Sequence, residues 1–328
     1  MSNTANCRKI AVAPMMDWTD RHCRYFLRLL SPNAELYTEM VTAAALIHGD
    51  AGKLLRFDPA EHPVALQLGG SDPEMMAAAA NAGADAGYDA LNINVGCPSD
   101  RVQSGKFGAC LMSTPDVVAE CFEAMSNAVA VPVTVKSRIG IDDSDSYEFL
   151  EQFVTTLRDA GCTTFIVHAR IAILDGLSPK DNRKVPPLNY DRVYRLKQDY
   201  PDLEIVVNGG ISTTDQVLEH LRIVDGAMIG RQAYHDPYFL TGLEQVLFAK
   251  DDWQAPSRHD IIEQMIQYIE RQMSDAVELK HITRHMLGLF AGQPGARAWR
   301  RHLSENAHLP GAGVEVLRQA LEKLPSAA

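Results

Sequence analysis

The sequence predicts an α/β protein: a (β/α)8 TIM barrel over residues 1–250, followed by a small C-terminal all-helical domain over 251–328. Three observations predict it. Eight short apolar runs alternate with amphipathic stretches through the first three quarters of the chain, as parallel strands alternate with helices. The first run ends in Ala13-Pro14-Met15-Met16, unlike the Gly-x-Gly-x-x-Gly that opens a doubly wound dinucleotide fold. After about residue 245 the strand signals stop.

Strands are expected at 10–15, 35–40, 63–69, 90–96, 132–138, 164–170, 204–210 and 226–231, each bounded by Gly, Pro or polar residues. Their near-continuous apolar content suits strands covered on both faces. Helices are expected over 72–86, 115–128, 146–160 and 213–222, where apolar residues recur at the 3.6 period. Ser71-Asp72-Pro73 and Thr114-Pro115-Asp116 give the first two a capping residue and an early proline. Residues 251–257 read as a linker, and 259–325 as several helices broken at 292–295 and 310–313.

Bulk properties set limits. With 328 residues and 46% hydrophobic content, the chain suffices for a barrel of about 250 residues and a short appended domain. It has no run of about 18 apolar residues, so no membrane span is expected, and residues 1–9 are too polar for a secretory signal. The six cysteines, Cys7, Cys23, Cys97, Cys110, Cys121 and Cys162, form no Cys-x-x-Cys pair. Reduced thiols in the cytoplasm are therefore expected, and no metal site. A net charge of −11 excludes a nucleic-acid binder that relies on overall positive charge. An RNA partner would have to meet local basic patches.

In a TIM barrel the chemistry belongs at the C-terminal ends of the strands. Those ends carry Met15 and Asp17, Glu39, Gln67, Asn94 with Cys97, Lys136, His168, Asn208, and Gly230 with Arg231. Lys136 admits two readings, an ion pair with Glu39 or Asp17, or a fixed positive charge beside an anionic ligand. Gln67 and His168 on other strands favour the ligand. His168 alone could be a satisfied core residue, but Arg170 and a polar loop at 175–184 follow at once.

Asn208-Gly209-Gly210 and Gly230-Arg231 end the last two strands, where barrels commonly bind phosphate through backbone N–H groups. Glycines let the backbone approach the anion, and Arg231 can add a bidentate contact. Cys97 follows Gly96, precedes Pro98 and leads into a polar, glycine-bearing loop. It suits a nucleophile or a general acid. A nucleophile would need a base beside it, and none is near in sequence. An ordinary thiol holds its proton at neutral pH and can donate it. Cys110 is the weaker candidate, and Cys121 and Cys162 read as small apolar core residues.

These residues make the chain resemble the bacterial tRNA-dihydrouridine synthases, most closely their A subfamily. The similar segments are APMMDWTDRHCR (13–24), QLGGSDP (67–73), LNINVGCPSDRVQSGKFGACLM (91–112), VKSRIG (135–140), FIVHAR (165–170), NGGI (208–211), IGRQAY (229–234) and GARAWRRHLSE (295–305). The stretch around Cys97 is highly specific. The Asn-Gly-Gly and Gly-Arg pieces are shared with other flavin barrels.

The resemblance implies bound FMN, NADPH as electron donor, and uridine at positions U20 and U20a of the tRNA D-loop as substrate. By position it implies that Pro14, Met15 and Met16 line the flavin ring, that Gln67 meets its polar edge, and that Lys136 and His168 also contact it. Asn208, Gly209, Gly210, Gly230 and Arg231 would hold the phosphate. Cys97 would be the proton donor, with hydride delivered to C6 and the proton to C5. Asn94 is expected to help hold the base, which must leave its place in the folded RNA to reach the pocket.

Two segments are locally basic: Lys180, Arg183 and Lys184 against Asp181, and residues 258–302 with a formal charge of +2. By composition alone they read as solvated surface. The resemblance implies that Lys180, Arg183, Arg297 and Arg300 orient tRNA, with the protein a monomer. The alternative reading is an FMN-dependent barrel that reduces a free enone or pyrimidine, which gives the basic C-terminal domain no purpose. A flavin-free RNA-binding protein would be colourless, and a phosphate-binding lyase would need a lysine or carboxylate base in place of Cys97.

Overall fold

The computed structural model describes residues 9–99, 102, 103, 105–248 and 253–325. Cys7 and the expected boundary between 250 and 251 lie outside them. Nine strands occur among the described residues: β1 (Lys9–Val12), β2 (Glu35–Tyr37), β3 (Val41–Thr42), β4 (Val64–Gly69), β5 (Ala90–Val95), β6 (Val133–Arg138), β7 (Thr164–His168), β8 (Glu204–Asn208) and β9 (Gly226–Ile229). Every pairing between them is parallel. The order β2-β1-β9-β8-β7-β6-β5-β4 closes on itself because β2 also pairs with β4. The expected eight-stranded barrel is thus present, and β3 is a two-residue extension beside β4.

The four expected helices form at Pro73–Asp85, Pro115–Ala128, Tyr147–Asp159 and Thr214–His220. Asp72 caps the first by accepting the Met75 N–H at 2.9 Å, and Ser146 caps the third through Phe149 at 3.1 Å. Thr213 and Gln216 form a capping box on the fourth. Inside the barrel, Ala11, Ala13, Tyr37, Ala65, Ala90, Ile166, Val206 and Met228 make one buried cluster. They recur at alternate positions, as the period of two requires.

The described residues group into two compact units. One joins 9–16 with 35–230, and the other joins Asp17–Ala34 with 231–325. The second holds the expected C-terminal helices Arg258–Ser274, Leu279–Thr283, Ala296–Asn306 and Glu315–Glu322. It also takes in Asp17–Ala34 and residues 231–248, which the sequence places in the 1–250 domain. The reason is aromatic and polar packing. Trp18 stacks on Tyr234 at 4.3 Å and Tyr25 on Tyr268 at 3.9 Å, while buried Glu244 accepts from Ser31 Oγ at 2.6 Å.

Helix Arg21–Leu30 in this unit went unread, although Cys23, Phe26, Leu27 and Leu30 recur at the helical period. Arg24 donates to Thr19 O at 2.9 Å, and Arg28 to Ser31 O and Pro32 O at 2.8 and 2.7 Å. Among the described residues, no helix is long and apolar enough to cross a membrane.

Candidate active site at the barrel mouth

Alternation along each strand sends every second side chain into the barrel, and toward the C-terminal ends those positions become polar. Gln67 Nε2 donates to Asn92 Oδ1 at 2.7 Å, Asn92 Nδ2 to Thr134 Oγ1 at 2.9 Å, and Asn94 Nδ2 to Gln67 Oε1 at 2.7 Å. All four residues are buried, and the chain of bonds makes that burial tolerable. Asn92 was missed in the sequence, although it shares strand parity with Asn94.

Asn94 also builds the loop that follows it. Its Oδ1 accepts the backbone N–H groups of Gly96 and Cys97 at 3.2 and 3.0 Å. The loop then doubles back, so that Ala109 N–H donates to Cys97 O at 2.9 Å. Gly108 makes this return possible. Its φ is +78°, and a Cβ there would lie 2.6 Å from Cys97 O. Cys97 is half-buried, with Sγ 3.5 Å from Ser99 Oγ.

Lys136 stands opposite Asn94 in the β5–β6 register. Among the described residues, no hydrogen bond or ion pair holds its ammonium, so the pairing with Glu39 or Asp17 weighed from the sequence is not formed. Burial first, and the Arg138 guanidinium second, push its pKa down to about 7, against the attraction of Cys97.

Arg138 is the next inward residue of β6, and the sequence reading passed over it. It is buried, and its charge is held by carbonyls: Nε donates to Gly96 O at 3.2 Å, and Nη1 to Ile171 O and Asn182 O at 3.0 and 3.1 Å. Burial lowers its pKa to about 10, opposed by Cys97 and aided by Arg170 and Arg183. Its parity with Thr134 and Lys136 in VTVKSR was the available signal.

Across the mouth, His168 is half-buried opposite Asn208, whose Nδ2 donates to Met228 O at 2.7 Å. Gly209 and Gly210 follow with φ of +117° and +70°. A Cβ on Gly210 would lie 2.5 Å from Leu188, and one on Gly209 would lie 3.1 Å from His168 Nε2. This backbone suits glycine alone. Gly230 follows β9, and Met15 Sδ is 3.9 Å from the point where its Cβ would sit. Pro14 and Met15 are half-buried after β1, whereas Met16 is 55% exposed.

The donor set fits a planar cofactor that carries negative charge and a phosphate. It offers, at Lys136, an amine that no described residue pairs with, buried amides beside it, and a turn at Gly209 and Gly210 whose positive φ values suit glycine. Among the described residues, no group of three or more His, Cys, Asp or Glu side chains is arranged to hold a metal.

Arg231 opens helix Arg231–His235 in the second unit. Lys180 and Arg183 are exposed at the turn Asp181–Arg183. Arg297 and Arg300 lie exposed on helix Ala296–Asn306, three residues apart and so on one face. The Cys110 thiol donates to Phe107 O at 3.2 Å, and burial raises its pKa. Cys121 and Cys162 are core thiols, both pushed up to about 12 by burial.

Comparison with known proteins adds a second line. The family described as Dihydrouridine synthase (Dus) matches residues 11–325. The chain is similar to a Vibrio cholerae protein named tRNA-dihydrouridine(20/20a) synthase, at 57% identity over 323 residues and 98% of each chain. Proteins of the same name are 57% identical in Shewanella oneidensis and 56% identical in Escherichia coli K12. Those matches cover 97% and 96% of this chain, and 94% and 91% of the relatives.

Proposed function

Because the chain belongs to the dihydrouridine synthase family, a family of flavin-dependent oxidoreductases, we propose that it reduces the C5=C6 bond of uridine at positions 20 and 20a of the tRNA D-loop, the positions in its relatives' name. It does so as a cytoplasmic monomer. The observation that carries the chemistry is Cys97, half-buried on a loop anchored by Asn94, within electrostatic reach of half-buried Lys136 and buried Arg138.

FMN held at this mouth and reduced by NADPH would supply the hydride that C6 of the base takes up. Cys97 then gives its proton to C5, where the developing enolate is basic. Asn94 acts toward the base as a donor only, because its oxygen already accepts from Gly96 and Cys97. One amide N–H remains for a uracil carbonyl. Lys136, Gln67 and His168 would hold the polar side of the cofactor, Lys136 with its positive charge, and Pro14, Met15 and Met16 would line it. Asn208, Gly209, Gly210 and Gly230, with Arg231 next in the chain, would hold the phosphate.

Lys180 and Arg183 on the barrel unit, and Arg297 and Arg300 on the helical unit, supply the positive charge for RNA phosphates that the net charge of −11 withholds elsewhere. A free enone or pyrimidine as substrate leaves these exposed arginines and lysine without a purpose.

The test is reconstitution. Protein, FMN and NADPH are incubated with tRNA lacking dihydrouridine, and the RNA is mapped by mass spectrometry. A gain of two hydrogens at positions 20 and 20a supports the proposal, and reduction of free uridine without tRNA would overturn it.

A further inference from the structure

Cys97 lies between two carbonyls that are both tied to another loop. On one side, buried Arg138 donates to Gly96 O at 3.2 Å and also to Ile171 O and Asn182 O. On the other, Gln103 Nε2 donates to Pro98 O at 2.9 Å and to Leu174 O at 2.7 Å. The residues flanking the thiol are therefore bridged, one by a guanidinium and one by an amide, to the segment that leads into Lys180 and Arg183.

That segment is itself braced. Asn182 is fully buried, donates to Ile173 O at 2.8 Å and Leu177 O at 3.1 Å, and accepts from Ile173 N at 2.7 Å. Asp142 accepts the Leu174 N–H at 2.7 Å. The two bridges thus fasten the Cys97 loop to a rigid support rather than to a free loop. Among the described residues, Arg138 has no carboxylate partner, and three carbonyls hold it.

We propose that Gln103 and Arg138 are positioning residues for proton transfer. By clamping the carbonyls on either side of Cys97, they fix where the thiol stands when the base arrives. This rests on the reading of Cys97 as the proton donor. A loosened clamp leaves the cofactor and RNA contacts in place but lets the thiol wander, and a displacement of about 1 Å can slow a positioned reaction about a hundredfold. Arg138→Lys keeps one charged donor that reaches some of the carbonyls, whereas Arg138→Met keeps none.

The experiment uses the FMN-loaded full-length protein, reduced in advance with NADPH and mixed with tRNA in a single turnover. Flavin reduction by NADPH and tRNA affinity are measured separately. For Gln103→Ala, reduction by NADPH should be unchanged and tRNA affinity should stay within about twofold, while the single-turnover rate falls about 10- to 100-fold. The solvent isotope effect in D2O should grow, because proton transfer becomes limiting. Arg138→Lys should be faster than Arg138→Met. If the Arg138 variants do not fold, Gln103→Ala decides alone.

A Gln103→Ala enzyme that turns over at the unaltered rate would overturn the clamp. So would a loss of rate that tracks a loss of tRNA affinity with the isotope effect unchanged, since that marks a structural role. Cys97→Ala run in parallel separates the two readings: full activity there removes the proton donor itself, whereas an inactive Cys97→Ala beside an unimpaired Gln103→Ala removes only the clamp.

Discussion

The side-chain oxygen of Asn94 accepts the backbone N–H of Cys97 at 3.0 Å, while its amide nitrogen donates to Gln67 Oε1 at 2.7 Å. One strand-end residue therefore joins the loop that carries the thiol to the polar layer beneath it. Asn94→Ala removes both links and leaves the Gly96 and Cys97 N–H groups without their acceptor. The expected loss is about 1–3 kcal/mol of stability, read as a lower thermal midpoint, with a larger proportional loss of product formation than of FMN content.

Cys97→Ala addresses the acid directly. The variant should keep its yellow colour and its tRNA affinity, and flavin reduction by NADPH should proceed. Dihydrouridine formation should fall by about 10²–10⁴-fold, the usual worth of a positioned general acid. Quantifying dihydrouridine in digested tRNA checks it, and full activity would remove Cys97 from the mechanism.

Lys136 makes the flavin-free protein pH-dependent. Its folded-state pKa of about 7 lies below the ordinary value of 10.5. Below pH 7 the amine is protonated in both states, and the cost of burying the charge is borne in full. Between about 7 and 10.5 the unfolded chain holds a proton that the folded one has released, so this group's contribution to stability rises with pH. Lys136→Met should flatten that rise, by no more than a few kcal/mol, in denaturant titrations of the flavin-free protein. An unaltered pH profile would contradict it.

Arg297→Ala with Arg300→Ala tests the helical unit. On the proposed reading the double variant loses two phosphate contacts, so tRNA binding should weaken and the slope of log K against log salt should fall by about 1.5 to 2. NADPH should still reduce the flavin at the unaltered rate. Equal tRNA affinity in the double variant and its parent, across a salt series, would contradict this role.

Much of this was legible in the sequence. The eight strands of the barrel announced themselves through apolar runs closed by Gly and Pro, and Asp72-Pro73 marked a helix start. Gln67, Asn94, Lys136, His168 and Asn208 stood out as polar residues ending apolar strands. Gln103 did not, because its partners are backbone carbonyls, which leave no mark on residue type, and Arg138 showed only its strand parity with Lys136. Helix Arg21–Leu30 was legible, since Cys23, Phe26, Leu27 and Leu30 keep the helical period behind the cap Asp20, whereas the burial of Arg24 and Arg28 against carbonyls was not. Its grouping with the C-terminal helices depends on ring stacking between residues more than 200 positions apart, such as Tyr25 with Tyr268.

The most direct measurement is made in cells that lack this protein. Their tRNA is mapped by mass spectrometry, then mapped again after the unaltered chain or Cys97→Ala is restored. The expected result is loss of dihydrouridine at positions 20 and 20a alone, recovered with the unaltered chain and not with Cys97→Ala. Dihydrouridine persisting at both positions in the deficient cells would contradict it.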